Sequence, residues 1–167
     1  GLWNYVRRGK QNQPPYADLQ RAGANLRGLM RVSMFKRLES SVYAFRQTLK
    51  RQINIHDTFL QALGAGIIAA GEEAQNILYE SDRYEEDLLA EALRRVSGRY
   101  EAADFDCRKL RQDMENDRTI LAQMLEIVEE ITPEKDAKLQ MLIEILRHPP
   151  LDSGKCLIFT QYADTAR

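Results

Sequence analysis

Stepped at about 100° per residue, the stretch from Leu29 to Leu63 gathers Met34, Leu38, Val42, Phe45, Leu49, Ile53, Leu60 and Leu63 on one stripe. Apolar residues recurring at that period predict a single long amphipathic helix over 29–63. Its opposite face carries Lys36, Tyr43, Gln47, Lys50 and Asn54, flanked by Arg37, Arg46 and Arg51. The period then fails at Gly64, Gly66 and Gly71. Each glycine weakens a helix by about 1 kcal/mol relative to alanine, so a hinge or disordered linker is expected over 64–82.

Three more helices follow from the same pattern. "DRYEEDLLAEALRRVSGRY" places Tyr84, Leu88, Leu89, Ala92, Leu93 and Val96 on one side and stops at Ser97 and Gly98. From Asp106 to Ile131 the apolar positions are Leu110, Met114, Leu121, Met124, Val128 and Ile131. This spacing suits an antiparallel hairpin with the preceding helix, or a short coiled coil. "ITPEKDAKLQMLIEILRH" offers Thr132 as N-cap and Pro133 as first helical residue, an apolar side of Leu139, Leu142, Ile143 and Leu146, and a stop at Pro149 and Pro150. "DSGKCLIFTQ" reads as a turn into a buried strand over 155–160, and the chain turns helical again from Ala163. The expected fold is mainly α, a bundle or hairpin of long helices with one short C-terminal strand that begins an α/β lobe.

Composition adds that 167 residues, 44% of them hydrophobic, suffice for one domain with a core. Charge changes the picture more. Residues 1–55 carry +9, residues 56–136 carry −11 and residues 137–167 carry +1. The segments therefore face different partners, or each other. The basic side of the first helix is long enough to follow a phosphate backbone, with Lys36, Arg37, Arg46, Lys50 and Arg51 as its contacts. The bland alternative is a solvated helix face, and the same alternative covers the carboxylates Glu85, Glu86, Asp87, Asp113, Glu115, Asp117, Glu129 and Glu130.

Cys107 and Cys156 lack the CxxC spacing, and neither His56 nor His148 lies near them in sequence, which argues against a disulfide framework or zinc site and suits a reducing cytoplasm. "ALGAGIIAAG" is about half the length of a membrane span. No membrane partner is expected. The ends, "GLWNYVRRGK" and "IFTQYADTAR", read as those of an excised segment.

Two separated stretches carry a resemblance. "LMRVSMFKRLESSVYAF" within 29–49, and "DAKLQMLIEIL" with "KCLIFTQYADTAR" within 135–167, resemble the junction between the two RecA-like lobes of bacterial superfamily-2 helicase-like ATPases of the Swi/Snf type. The resemblance implies four parts: 1–63 as the end of the first lobe and a basic helical protrusion, 64–82 as a flexible linker, 83–131 as an acidic helical hairpin insert, and 132–167 as the start of the second lobe. It also implies that Phe159, Thr160 and Gln161, in a stretch similar to helicase motif IV, sit near the cleft where that family binds nucleic acid. The partners implied are DNA and the flanking lobes, with a possible protein partner at the acidic hairpin. ATP and magnesium would belong to the parent protein. These residues contain no GxxxxGK[ST] loop and no DExH box, so the segment should bind no cofactor and hydrolyse no ATP.

A second reading is a helical protein–protein interaction module whose basic and acidic segments pair within the chain or across a dimer. The acidic segment then has three open roles: a spacer, a partner surface, or an intramolecular competitor for the basic helix.

Overall fold

The computed structural model describes residues 1–80, 86–98, 100–153, 155–162 and 165, with backbone alone over 21–31 and 86–87. The chain is mainly helical: α1 (Ala17–Ser40), α2 (Val42–Gly64), α3 (Glu72–Tyr79), α4 (Glu86–Ser97), α5 (Cys107–Glu129) and α6 (Ala137–Leu146), with short 3-10 turns at Leu2–Tyr5 and Ala102–Asp104.

The single helix expected over 29–63 is two helices. Ser41 is extended at φ −160° and ψ 150°, and its hydroxyl accepts from the Ala44 amide at 3.0 Å. A serine that bonds backbone in this way offers an alternative to the helical ladder, and it is a favoured N-cap. The expected stripe therefore splits. Phe45 and Leu49 share a small core with Val128, whereas Leu63 joins Phe59 and Ala62 in the main one. Upstream, α1 begins well before Leu29, just after Pro14, Pro15 and Tyr16.

The expected linker is also folded. α2 ends in a Schellman motif: the Ile67 amide donates to the Ala62 carbonyl (2.9 Å) and Gly66 to Leu63 (3.1 Å), with Gly66 at φ 76°. A glycine supplies that positive φ without the Cβ clash other residues suffer. The turn drives Ile67, Ile68, Ala69 and Ala70 straight into the main core, where Ile68 is 0% exposed, and α3 follows. Ser81 and Asp82, the end of that expected linker, lie outside the described residues, as does Tyr84.

Helix α5 lies within two residues of its expected bounds, started by Asp106, whose carboxylate accepts from the Lys109 amide at 3.1 Å. Its partner differs from expectation. It runs antiparallel along α2, with Arg46 at Val128 and Ile131, Lys50 at Glu129 and Asp57 at Arg118, while α4 packs against α3. On α4, Leu89 and Leu93 are buried, but Leu88 faces solvent.

The N-terminal segment closes the main core. Val6 pairs with Phe105, the Arg7 amide donates to the Asp104 carbonyl (2.8 Å) and the Asp106 amide to Tyr5 (2.7 Å). Tyr16 stacks edge-on against Tyr100 and Phe105, and Trp3 and Tyr5 pack on the same cluster.

At the other end, α6 starts at Asp136 rather than at Thr132. The Asp136 carboxylate accepts from the amides of Lys138 (3.1 Å) and Leu139 (3.0 Å), while Thr132 opens a turn whose carbonyl accepts from Lys135 and Asp136. No residue of α6 is buried. The expected strand over 155–160 forms no ladder: among the described residues no strand is present to pair with it, and Leu157, Ile158 and Phe159 are exposed. An apolar strand needs neighbours on its edge and faces.

Candidate nucleic-acid interface

The basic face expected to meet phosphate is built by α1 and α2, which hold the five cations in the order the helical period dictates. What the period does not dictate is what packs against them. Lys36 is exposed on the last turns of α1. Arg37, one residue on, lies over the Tyr162 ring at 4.8 Å. Arg46 donates twice from one guanidinium nitrogen, to the carbonyls of Val128 (3.0 Å) and Ile131 (2.9 Å). It thereby adds to the bond that the Val128 carbonyl accepts from the Ile131 amide, engages the Ile131 carbonyl just past α5, and places positive charge at the negative end of that helix.

Further along α2, Lys50 pairs with Glu129 at 3.1 Å, and Arg51 donates to the Tyr79 hydroxyl at 2.9 Å with its guanidinium carbon 5.0 Å over the same ring. On the next turns Asp57 takes a forked bond from Arg118, 2.5 Å from Nε and 3.2 Å from an outer nitrogen. Hydrogen bonding to Asp57, then its charge, raises the Arg118 pKa. The two ion pairs between α2 and α5 thus run in opposite senses, Lys50 of α2 to Glu129 and Arg118 of α5 to Asp57.

The three motif-like residues Phe159, Thr160 and Gln161 are exposed, and Thr160 bonds only locally, accepting from the Tyr162 amide at 3.3 Å. They are not gathered on the α2 face. Their neighbours reach the α1–α2 break instead. The Thr165 hydroxyl lies 2.8 Å from that of Ser40 and 3.1 Å from that of Ser41, and the Lys138 ammonium donates to the carbonyls of Glu39 and Ser40, the latter at 2.9 Å. With Tyr162 under Arg37, three positions near the C-terminus clasp one helix break.

Sequence reasoning missed this clasp. Its one visible signal was the Ser40–Ser41 pair inside an otherwise helical pattern.

The polar groups of the main core serve structure. The Tyr16 hydroxyl donates to Asp104 and that of Tyr5 to Asp113 (2.7 Å), and burial followed by those bonds pushes both phenols up to about 12. His56 bonds the Gln52 carbonyl at 2.8 Å on its own helix. Among the described residues no three His, Cys, Asp or Glu side chains are grouped to hold a metal ion, and no helix is long and apolar enough to cross a membrane. Compared with protein-family models, curated proteins and solved structures, the chain matches none.

Proposed function

We propose that this chain is the helical coupling region between the two lobes of a DNA-dependent ATPase of the Swi/Snf type, holding the lobes in register and binding no ATP itself. One observation carries the reading: the two stretches that resemble that family, far apart in sequence, meet at the Ser40–Ser41 break through Lys138, Tyr162 and Thr165. In this reading the clasp is where movement of one lobe would reach the other. ATP and magnesium would be held by the parent protein, and DNA would be its partner. The reading gives Arg37 and Lys138 the coupling role, and it leaves Arg46, Lys50 and Arg51 to the α2–α5 and α2–α3 contacts rather than to phosphate.

The test is on the full-length gene product. Translated flanks should carry a GxxxxGK[ST] loop upstream and an arginine-bearing helicase motif downstream. Arg37→Ala with Lys138→Ala should lower DNA-stimulated ATP hydrolysis about tenfold, a loss of about 1.4 kcal/mol in coupling, while DNA affinity stays. Flanks without those motifs, or a double variant with unchanged stimulation, sink it.

The α2–α5 charge contacts favour one further reading, a helical protein–protein interaction module whose basic and acidic segments pair within the chain. Exchanged between copies, the same contacts would join a dimer. Light scattering that shows association rising with concentration and falling with salt would support it over the coupling role.

A further inference from the structure

The cations of α2 are engaged, yet a second group of cations lies at the opposite end of the α2–α5 pair. Backbone bonds between residues 5–7 and 104–106 bring two segments together that are almost a hundred positions apart. Arg7 and Arg8 come from one segment, Arg108 and Lys109 from the other, and all four are exposed. Lys10 returns to the same place through a turn at Gly9 (φ 96°) and sits 3.4 Å from Asp104. The charges are close enough to act on shared neighbours: Arg7 adds to the lowering of Asp104 that its bonds from Tyr16 and Lys10 produce, and Arg7 and Arg111 oppose the burial that pushes the Cys107 thiol up.

The carboxylates of this region are turned to internal tasks. Asp104 accepts from the Tyr16 hydroxyl and Lys10, and Asp106 caps α5. These carboxylates and the exposed Glu101 keep their charge, but Asp104 is tied to Tyr16 and Lys10, and Arg7, Arg8, Lys10, Arg108 and Lys109 outnumber the three of them. None of the exposed large apolar side chains falls within residues 1–20 or 100–117 among those described. That matters for the partner. A protein interface needs apolar anchors at its centre and an inserting membrane surface needs apolar side chains to bury, whereas a phosphate backbone needs only outward cations, best as guanidinium forks.

We propose that Arg7, Arg8, Arg108 and Lys109 form a surface that binds the phosphate backbone of duplex nucleic acid without reading its sequence. This surface goes beyond the coupling reading, since its residues lie outside both stretches that carry the resemblance. It also relocates the phosphate contact from the long face of α2 to the end of the bundle where, among the described residues, Arg7, Arg8, Arg108 and Lys109 are exposed.

The experiment is fluorescence anisotropy of the chain with a labelled duplex of roughly 20 base pairs, titrated from about 50 to about 200 mM salt. Four neutralised phosphates would give a log–log slope near −3.6, so affinity should fall about a hundredfold across that range. Arg7→Glu, Arg8→Glu, Arg108→Glu and Lys109→Glu together should abolish the binding. Because four reversals can unsettle a fold, Arg7→Gln with Arg8→Gln, and separately Arg108→Gln with Lys109→Gln, should each reduce the slope by about 1.8. Lys36→Gln with Lys50→Gln should leave affinity within about twofold, as rim charges off the path do. The proposal is overturned if the wild-type chain does not bind, or if both glutamine pairs bind as it does. It is also overturned if phosphatidylserine vesicles bind as tightly as the duplex. Loss of DNA-stimulated ATPase in the clasp variants, with this binding intact, would bear on the coupling reading alone.

Discussion

Phe105 and Phe159 are the same residue in opposite surroundings: the first is 1% exposed and the second 90%. Phe105 is enclosed because three segments converge on it, with Val6 paired to it across the backbone and Tyr16 edge-on at 5.8 Å. Phe159 sits in an apolar run no less suited to burial, "CLIF", but among the described residues no strand is present to receive it. Apolar character sets what can be buried; the complement supplied by the rest of the chain sets what is. Under the coupling reading, the complement of Leu157–Phe159 belongs to a flanking lobe.

The sharpest way to break this comparison is to make one substitution at both places. Phe105→Ala should cost about 3–5 kcal/mol in urea denaturation, the transfer and cavity cost of a buried aromatic. Phe159→Ala should change stability by no more than about 0.5 kcal/mol. Similar losses at both positions would mean that 155–160 is packed in solution.

The next effect in size tests the small core that α2 and α5 share. Arg46→Ala takes the charged donor from the Val128 and Ile131 carbonyls, of which Val128 keeps its bond from the Ile131 amide, and should cost about 1–3 kcal/mol. Arg46→Lys should recover only part of that, because an ammonium on a flexible stem lacks the guanidinium's rigid fork of donors.

Protonation sharpens the comparison from the Phe105 side. Tyr5 and Tyr16 are raised to about 12 from an ordinary 10.0, by burial and then by hydrogen bonds to Asp113 and Asp104. A raised folded-state pKa contributes stability that is complete below 10 and is lost as pH climbs toward 12. Asp104 is displaced the other way, below 3.8, chiefly by the Tyr16 hydroxyl and then by Lys10. Its contribution is present above 3.8 and lost as pH falls through the lowered value. Fluorescence of Trp3, the chain's single tryptophan, should therefore report release of the N-terminal segment at both extremes. Tyr16→Phe should shrink both arms, and a flat profile would show that these bonds do not hold the segment.

The smallest effect lies at the surface of the α2–α5 contact. Lys50 and Glu129 are each about half exposed, so Lys50→Ala should cost about 0.2–1 kcal/mol and should cost less in high salt. A larger loss would mean that the pair is shielded.

Much of the helical order was legible in the residues. The bounds of α5 follow from its apolar spacing and from Asp106 as cap. Two errors share one cause, that capping groups compete. Thr132 and Pro133 make an adequate start signal, but Asp136 takes two amides, and Thr132 is drawn into the preceding turn and bonded to Glu134. At Ser41 the cap wins against a strong helical period and divides a stripe that looked continuous. The glycines at 64–71 were read for their weakness within a helix, whereas Gly66 is used for its positive φ in ending one. The charges of the candidate site were equally legible, but their partners were not. Arg46 with Ile131, or Lys138 with Ser40, joins residues more than eighty positions apart, and nothing in local spacing encodes such a pair.

The pairing of Val6 with Phe105 also fixes an order of events during synthesis. At about 5–20 residues per second, Leu2, Trp3 and Val6 leave the ribosome several seconds before the segment that will cover them. Through that interval they are bare apolar groups on a nascent chain, awaiting Phe105, Leu110 and Asp113. Translation arrested before α5 should therefore yield no half-sized stable domain, only a fragment that chaperones hold or proteases clear.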